Sequence, residues 1–346
     1  DPDPSLPALG VVVVTYASAD VILDCLDSLL ASQGVRLAVV VVDNASPDGT
    51  PALIRDWAAG RLAHAPGADV PFALDPVPKP LPLAAAPPAM LPAAGHSLAL
   101  IETGINGGFA AGVNRGLAAL AAGAAPDRFW ILNPDSLVPP GSAAAFARHP
   151  APPGGFALMG GRLAYAGPAG RIQIDGGVIR RWSGVTGNLG QFAPLDSPPP
   201  DPARIDFVTG ASMVASRAFL ETAGPMPEDY FLYYEEVDWA LRRGRLPLVW
   251  CPGGLVYHRA GTAIGSPAPG RPASRFALYF KHRGRMRFVR RHFPAAWPTA
   301  LAFSLAKAGQ SLLKGLATCD LERLERLQER LAAGADLGEL ERVAAE

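Results

Sequence analysis

The sequence predicts an α/β domain built on a mostly parallel central sheet with helices on both faces. Three observations carry this. Apolar runs at 11–14, 37–42, 98–101 and 129–132 are short and continuous, the pattern of strands buried on both faces. The stretches at 20–31 and 51–59 carry apolar residues at helical spacing, and 110–122 reads as a helix of small residues. The order strand, helix, strand, helix fills the first 60 residues, which is how a βαβ sheet opens.

The elements follow in order. Val11 to Val14 are β-branched and bounded by Gly10 and Thr15. Helix 20–31 has Asp20 as its expected N-cap and Val21, Ile22, Cys25, Leu26, Leu29 and Leu30 on its apolar stripe. The run 37–42 ends at Asp43-Asn44, and 46–50 is turn chemistry before the next helix. Residues 60–97, rich in Ala, Pro and Gly, have no clear period and read as an inserted surface segment. A strand at 98–101, a Gly-rich turn at 106–109, helix 110–122 and a strand at 129–132 restore the rhythm, which stops at Asn133-Pro134-Asp135. Further on, 171–177 looks like a hairpin, 207–214 and 248–251 like strands, and 217–223 and 235–243 like short helices. A basic helix at 274–292, an amphipathic one at 301–316 and a charged one at 321–331 close the chain. The expected division is a main domain at 1–292 and a C-terminal helical extension at 293–346.

Bulk composition narrows the function. A chain of 346 residues with 49% hydrophobic content buries a full core. Lys+Arg and Asp+Glu are both 31, so no global field draws nucleic acid, and a charged ligand needs a local site. Cys25, Cys251 and Cys319 are odd in number and far apart, which fits a reducing cytoplasm and no disulfide framework. Residues 1–10 lack the basic and apolar regions of a signal peptide.

The acidic residues carry the chemistry. Asp43 and Asp135 each follow an apolar strand, and ligand crevices in open parallel sheets lie at those carboxyl ends. Either alone could be a cap or turn residue; the shared position favours a site. Asn133-Pro134-Asp135 offers oxygen ligands suited to a hard cation such as Mg²⁺ or Mn²⁺, which would bridge a diphosphate. Glu235-Glu236-Val237-Asp238 sets three carboxylates among Tyr230, Phe231, Tyr233, Tyr234 and Trp239. Such apolar surroundings raise a carboxyl pKa toward that of a general base. His258 is a candidate further metal ligand. The helix holding Lys281, His282, Arg283, Arg285, Arg287, Arg290 and Arg291 is either a solvated or membrane-facing surface or a grip on diphosphate.

These residues resemble a known family. Val13-Val14-Thr15-Tyr16, the segment 41–46 (VVDNAS), the segment 106–114 (NGGFAAGVN), Leu132-Asn133-Pro134-Asp135 and the segment 233–238 (YYEEVD) occur in the order seen in family 2 glycosyltransferases of the GT-A fold, near the bacterial rhamnosyltransferase-like branch. The resemblance runs from about residue 11 to about residue 292 and implies inversion at the anomeric carbon by one in-line displacement. It assigns Thr15, Tyr16, Asp43, Asn44, Asn106, Gly108, Asn114, Asn133 and Arg283 to the nucleotide-diphosphate sugar donor, and Asp135 with His258 to the metal. Glu236 stands where the family has the Asp that deprotonates the acceptor, with Asp238 and Glu235 as alternatives. Gly284 stands where the family has Asn between two arginines.

The resemblance also implies rhamnose on a thymidine carrier as donor and a glycan or lipid-linked acceptor of a cell-surface polysaccharide. A cytoplasmic enzyme touching the inner face of the membrane through its C-terminal helices fits this reading. The rivals are a metal-dependent nucleotidyltransferase and a non-catalytic nucleotide-sugar-binding protein. The first wants a basic loop for a triphosphate, and 15–20 contains no Lys or Arg; retention of Asp135, Glu236 and Asp238 argues against the second.

Overall fold

The computed structural model describes residues 6–88, 95–122, 126–167, 170–259 and 274–313. Strand β1 (Ala8–Thr15), helix α1 (Ile22–Leu30), β2 (Arg36–Asp43), α2 (Thr50–Ala58), β3 (Leu83–Ala84), β4 (Ser97–Glu102), α3 (Phe109–Ala121) and β5 (Arg128–Leu132) form the first half. The second half holds β6 (Ser136–Leu137), α4 (Ser142–Arg148), β7 (Leu158–Tyr165), β8 (Ile172–Ile174), β9 (Gly177–Arg180), β10 (Val185–Asn188), β11 (Ser212–Ser216), α5 (Arg217–Ala223), α6 (Glu235–Leu241), β12 (Val249–His258), α7 (Arg275–His292) and α8 (Trp297–Leu313).

The main sheet runs in the order β3-β4-β2-β1-β5-β11-β7-β12-β6, with β8 paired to β7. Its first half is parallel, from β3 through β5. Strand β11 then enters antiparallel to both β5 and β7. This is the mostly parallel α/β sheet with helices that the sequence predicts.

Period-two alternation explains why the valine run sits at the centre. Val11 and Val13 face one core with α1, α2 and α4, whereas Val12 and Val14 face a second core with α3, α6 and α7. All four are buried, each burial stabilising by about 1.5–3 kcal/mol. Helix α3 is a small-residue helix because it lies directly on β1. A Cβ at Gly116 would stand 2.4 Å from Val12 Cγ1, and one at Gly112 would stand 2.6 Å from Val14 Cγ1.

Several expectations need correction. Val21, not Asp20, occupies the N-cap of α1, with no side-chain cap. Residues 171–177 do not form a hairpin: β8 pairs with β7, and the hairpin is β9 with β10. Gly176 and Gly177 are not turn glycines but close-approach ones, since Cβ atoms there would meet Ile205 Cγ1 at 2.8 Å and Phe207 Cε1 at 2.1 Å. The strand expected at 207–214 starts only at Ser212, because the Thr209 carbonyl turns back to accept from Ser212 N (3.2 Å). Strand β12 reaches His258 rather than ending at Cys251. Helix α8 begins at Trp297, earlier than expected; helix 321–331 lies outside the described residues. The inserted segment is loop over most of its described length but contributes β3 to the sheet edge.

Candidate active site

A cavity of about 650 Å³ opens at the carboxyl ends of the parallel strands. Its walls include Tyr16, Asn44, Asn106, Gly108, Asn133 and Asp135 from the first half of the chain. Glu235, Glu236 and His258 line it from the second half, so Asp135 and the first two carboxylates of the acidic run share one space.

At one end, β12 delivers His258 beside the turn after β5. His258 Nε2 stands 2.9 Å from Asp135 Oδ1 and 3.2 Å from Asn133 Nδ2. The imidazole Nδ1–H donates to Gln173 Oε1 (3.0 Å). That bond leaves Nε2 turned to the carboxylate, an arrangement completed by a cation, whether a proton or a metal. Asp135 and His258 are 6% exposed each, so the pair is dry but borders the cavity. Among the described residues no group of three or more His, Cys, Asp or Glu gathers that could hold a metal unaided. A cation held by Asp135 and His258 would therefore complete its shell with phosphate oxygens and water, the usual arrangement at phosphate-transfer sites.

At the other end, the segment before α6 is strained. Phe231, Tyr233 and Tyr234 have φ of 68°, 64° and 75°, and such non-glycine conformations cost about 1–3 kcal/mol each. Packing holds them. Phe231 O accepts from Phe109 N (3.1 Å), Tyr234 Oη donates to Gly184 O (2.8 Å), and Phe231 lies 5.2 Å from the Phe280 ring. Gly108 (φ 86°) permits this approach, because a Cβ there would lie 2.5 Å from Phe231 O. Gly284 has a similar reason: a Cβ would lie 2.7 Å from Tyr233 O, so the Asn expected there would push on the strained turn.

The turn presents Glu235 and Glu236 to the cavity. Glu235 Oε2 and Glu236 Oε2 are both buried without a hydrogen-bond partner among the described residues. Burial, and then the charge of Glu236, push the Glu235 carboxyl well above its usual value. Burial also raises Glu236, opposed by backbone hydrogen bonds at Glu236 and Val237 and then by the Lys281 ammonium.

Asp238 goes elsewhere. It is fully buried and accepts from Tyr230 Oη (2.7 Å), Arg242 Nε (2.7 Å) and Arg291 Nη1 (2.8 Å), with His292 Nε2 at 3.2 Å. Burial opposes its charge, but the hydrogen bonds from His292, Tyr230, Arg291 and Arg242 outweigh this and hold the carboxyl far below the usual range. It is an anchor, not a group facing the cavity.

Four other sequence candidates also stand behind the wall. Thr15 Oγ1 donates to Asp43 Oδ1 (2.8 Å), and Asp43 Oδ2 accepts from Ser46 N (2.9 Å), which ties the ends of β1 and β2 together. Asn114 Nδ2 donates to Met226 O and to Glu228 Oε1, both at 2.8 Å. Arg283 turns to Tyr230 O (3.1 Å). The cavity instead receives Lys281, His282 and Arg285 from α7, together with Gln173 and the polar residues Thr186, Asn188 and Gln191. Lys281, His282 and Arg285 belong to the basic helix that the sequence singles out, whereas Gln173, Thr186, Asn188 and Gln191 carry no motif and reach the site from β8 and the β9–β10 hairpin region.

Comparison with known proteins bears on the fold. Residues 10–66 match Glycosyl transferase family 2. The succinoglycan biosynthesis protein ExoO of Rhizobium meliloti (strain 1021) is 49% identical over 49 residues, which span 14% of this chain and 14% of that protein. The mannosyltransferase PcManGT from Pyrobaculum calidifontis, solved with GDP-Man and Mn²⁺, superposes with a TM-score of 0.51 at 20% identity, covering 96% of this chain and 82% of that one. GalNAc-T7, solved with UDP, GalNAc and Mn²⁺, gives a TM-score of 0.51 at 12% identity, covering 98% of this chain and 56% of that one. The chain has the GT-A fold. The matched family and these structures are glycosyltransferases.

Proposed function

We propose that this protein is an inverting glycosyltransferase that moves a sugar from a nucleotide-diphosphate donor onto an acceptor hydroxyl. The observation that carries it is the two-ended cavity: Asp135 with His258 at one end, and at the other Glu235 and Glu236, each with one buried oxygen that has no hydrogen-bond partner among the described residues. The solved structures with nucleotides and Mn²⁺ support a donor of this class.

Each end has one task. Asp135 and His258 would hold a divalent cation against the diphosphate, and such a cation neutralises charge that builds on the leaving group. An imidazole ligand favours Mn²⁺ over Mg²⁺. Tyr16, Asn44, Asn106, Gly108 and Asn133 meet the donor, while Thr15, Asp43 and Asn114 act from behind by fixing the backbone that carries them. Glu236 takes the proton of the acceptor hydroxyl as its oxygen bonds to the anomeric carbon. The bond from that carbon to the diphosphate breaks on the opposite face, and the nucleoside diphosphate leaves with the electron pair.

The sequence resemblance points to rhamnose on a thymidine carrier as donor and to a glycan or lipid-linked acceptor in surface polysaccharide synthesis; the ExoO match agrees with polysaccharide synthesis. Among the described residues no helix is long and apolar enough to cross a membrane. A cytoplasmic protein resting on the membrane through α7 and α8, with residues 1–292 as the transferase domain and the rest as an extension, belongs to the same proposal.

A thermal-shift panel of nucleotide sugars, with and without Mn²⁺, tests the reading. One nucleotide sugar stabilises the protein, more strongly with Mn²⁺. No stabilisation by any of them overturns the proposal.

A further inference from the structure

The inserted segment has no part in the chemistry described above, yet it docks beside the metal-binding end of the cavity. The contact centres on Arg259, the residue after His258. Its backbone N–H donates to Asp135 O (3.1 Å), so Arg259 joins both proposed metal ligands through the main chain. Its guanidinium reaches the other way. Nη2 donates to Asp24 Oδ2 of α1 and to Asp69 Oδ1 of the inserted segment, both at 2.6 Å, and Nε donates to Asp69 Oδ2 (2.7 Å).

The rest of the junction is built to match. Asp24 is buried, and its other oxygen faces His64 Nε2 (2.8 Å) and accepts from Gly67 N (3.1 Å), both from the inserted segment. Gly67 leaves room for the fork: a Cβ there would stand 2.9 Å from Arg259 Nη2 and 2.7 Å from Asp69 Oδ1. Phe72 packs its ring 5.9 Å from Tyr257, on the other side of His258. Farther along, Lys79 lies 3.6 Å over the Trp57 ring and 3.3 Å from Asp27, which fastens the segment to α1 and α2.

We infer that the inserted segment is a brace for the metal-binding end, and that Arg259 is its positioning residue, clamped between Asp24 and Asp69 so that His258 and Asp135 keep their mutual geometry. The inference rests on the reading of Asp135 and His258 as metal ligands. Arginine suits the place because its planar fork makes two parallel bonds to Asp69 and a further one to Asp24, which a lysine ammonium cannot reproduce.

Mn²⁺ affinity, measured by electron paramagnetic resonance on the full chain with a nucleoside diphosphate present and no acceptor, tests this. Three variants are compared with wild type: Asp69→Asn, Arg259→Lys and His258→Ala. Groups that orient ligands typically contribute on the order of ten- to hundred-fold to metal affinity. The brace predicts a loss of about that size in Arg259→Lys and near its lower limit in Asp69→Asn, with the melting temperature of Asp69→Asn close to wild type. His258→Ala loses at least as much. Wild-type Mn²⁺ affinity in both brace variants, with loss in His258→Ala, overturns the brace and leaves the metal reading standing. Wild-type affinity in His258→Ala overturns the metal reading itself and the brace with it.

Discussion

Glu236 and Asp238 stand two residues apart on α6 and live in opposite worlds. Glu236 lines the cavity with an oxygen that has no hydrogen-bond partner among the described residues. Asp238 is held by a tyrosine, two arginines and a histidine. Helix phase separates them: two residues turn the direction by about 200°, so neighbours in an acidic run reach opposite faces. The saturated carboxylate is spent on holding the wall, whereas the other keeps an oxygen free to meet what enters the cavity, which is why the proposed base is Glu236. This difference also removes Asp238 as an alternative base, a choice the sequence left open.

Variants sharpen this contrast, beginning with the largest effect. Asp238→Ala strands Arg291, Arg242 and His292 around a lost charge, and breaking a buried pair in this way costs about 3–5 kcal/mol. Urea denaturation reads it as a lower midpoint with an unchanged slope. The contribution of Asp238 is also pH-dependent. Its folded pKa lies below the ordinary 3.8, so its stabilisation is full above that value and is lost as pH falls through the folded value. Wild type therefore loses stability in acid that Asp238→Ala does not have to lose.

Gly108→Ala forces a side chain into a left-handed position 2.5 Å from Phe231 O. A destabilisation of about 1–3 kcal/mol is expected, with loss of turnover because the strained turn carrying Glu235 and Glu236 shifts. Melting temperature and turnover, measured together, check it.

Glu235→Gln has the opposite sign. The folded pKa of Glu235 is raised above the ordinary 4.5, so its contribution is full below that value and is lost as pH rises toward the folded one. The variant matches wild type at pH 4 and is more stable at pH 8, as paired melts at the two pH values would record. The smallest effect belongs to Arg55→Ala, which removes a half-exposed ion pair with Glu102 on α2 and β4. Less than about 1 kcal/mol is expected, and added salt shrinks it further.

The two halves of the chain differed in how openly they could be read. Strands β1, β2 and β5 were legible because continuous apolar runs, valine-rich in β1 and β2 and Phe129-Trp130-Ile131-Leu132 in β5, mark strands buried on both faces. Asp135 was legible because it follows such a strand. The second half hid its order. Strands β8, β9 and β10 are very short, and Gly176 and Gly177 mark close packing against Ile205 and Phe207 rather than a turn. Gln173 carries no local signal, since only the fold brings it 3.0 Å from His258. Arg283 and Arg285 look alike in sequence, yet helix phase sends Arg283 to Tyr230 and leaves Arg285 on the cavity. The inserted segment looked idle because its partners, Asp24 and Arg259, lie far away in the chain.

The most direct test of the account is Glu236→Gln, assayed for both binding and turnover of the nucleotide sugar that stabilises wild type. Removing a general base lowers kcat by about 10²- to 10⁴-fold, while affinity for the donor, held at the Asp135 end, stays at the wild-type value. Turnover at the wild-type rate would contradict the account, because the carboxylate of Glu236 would then have no part in the transfer.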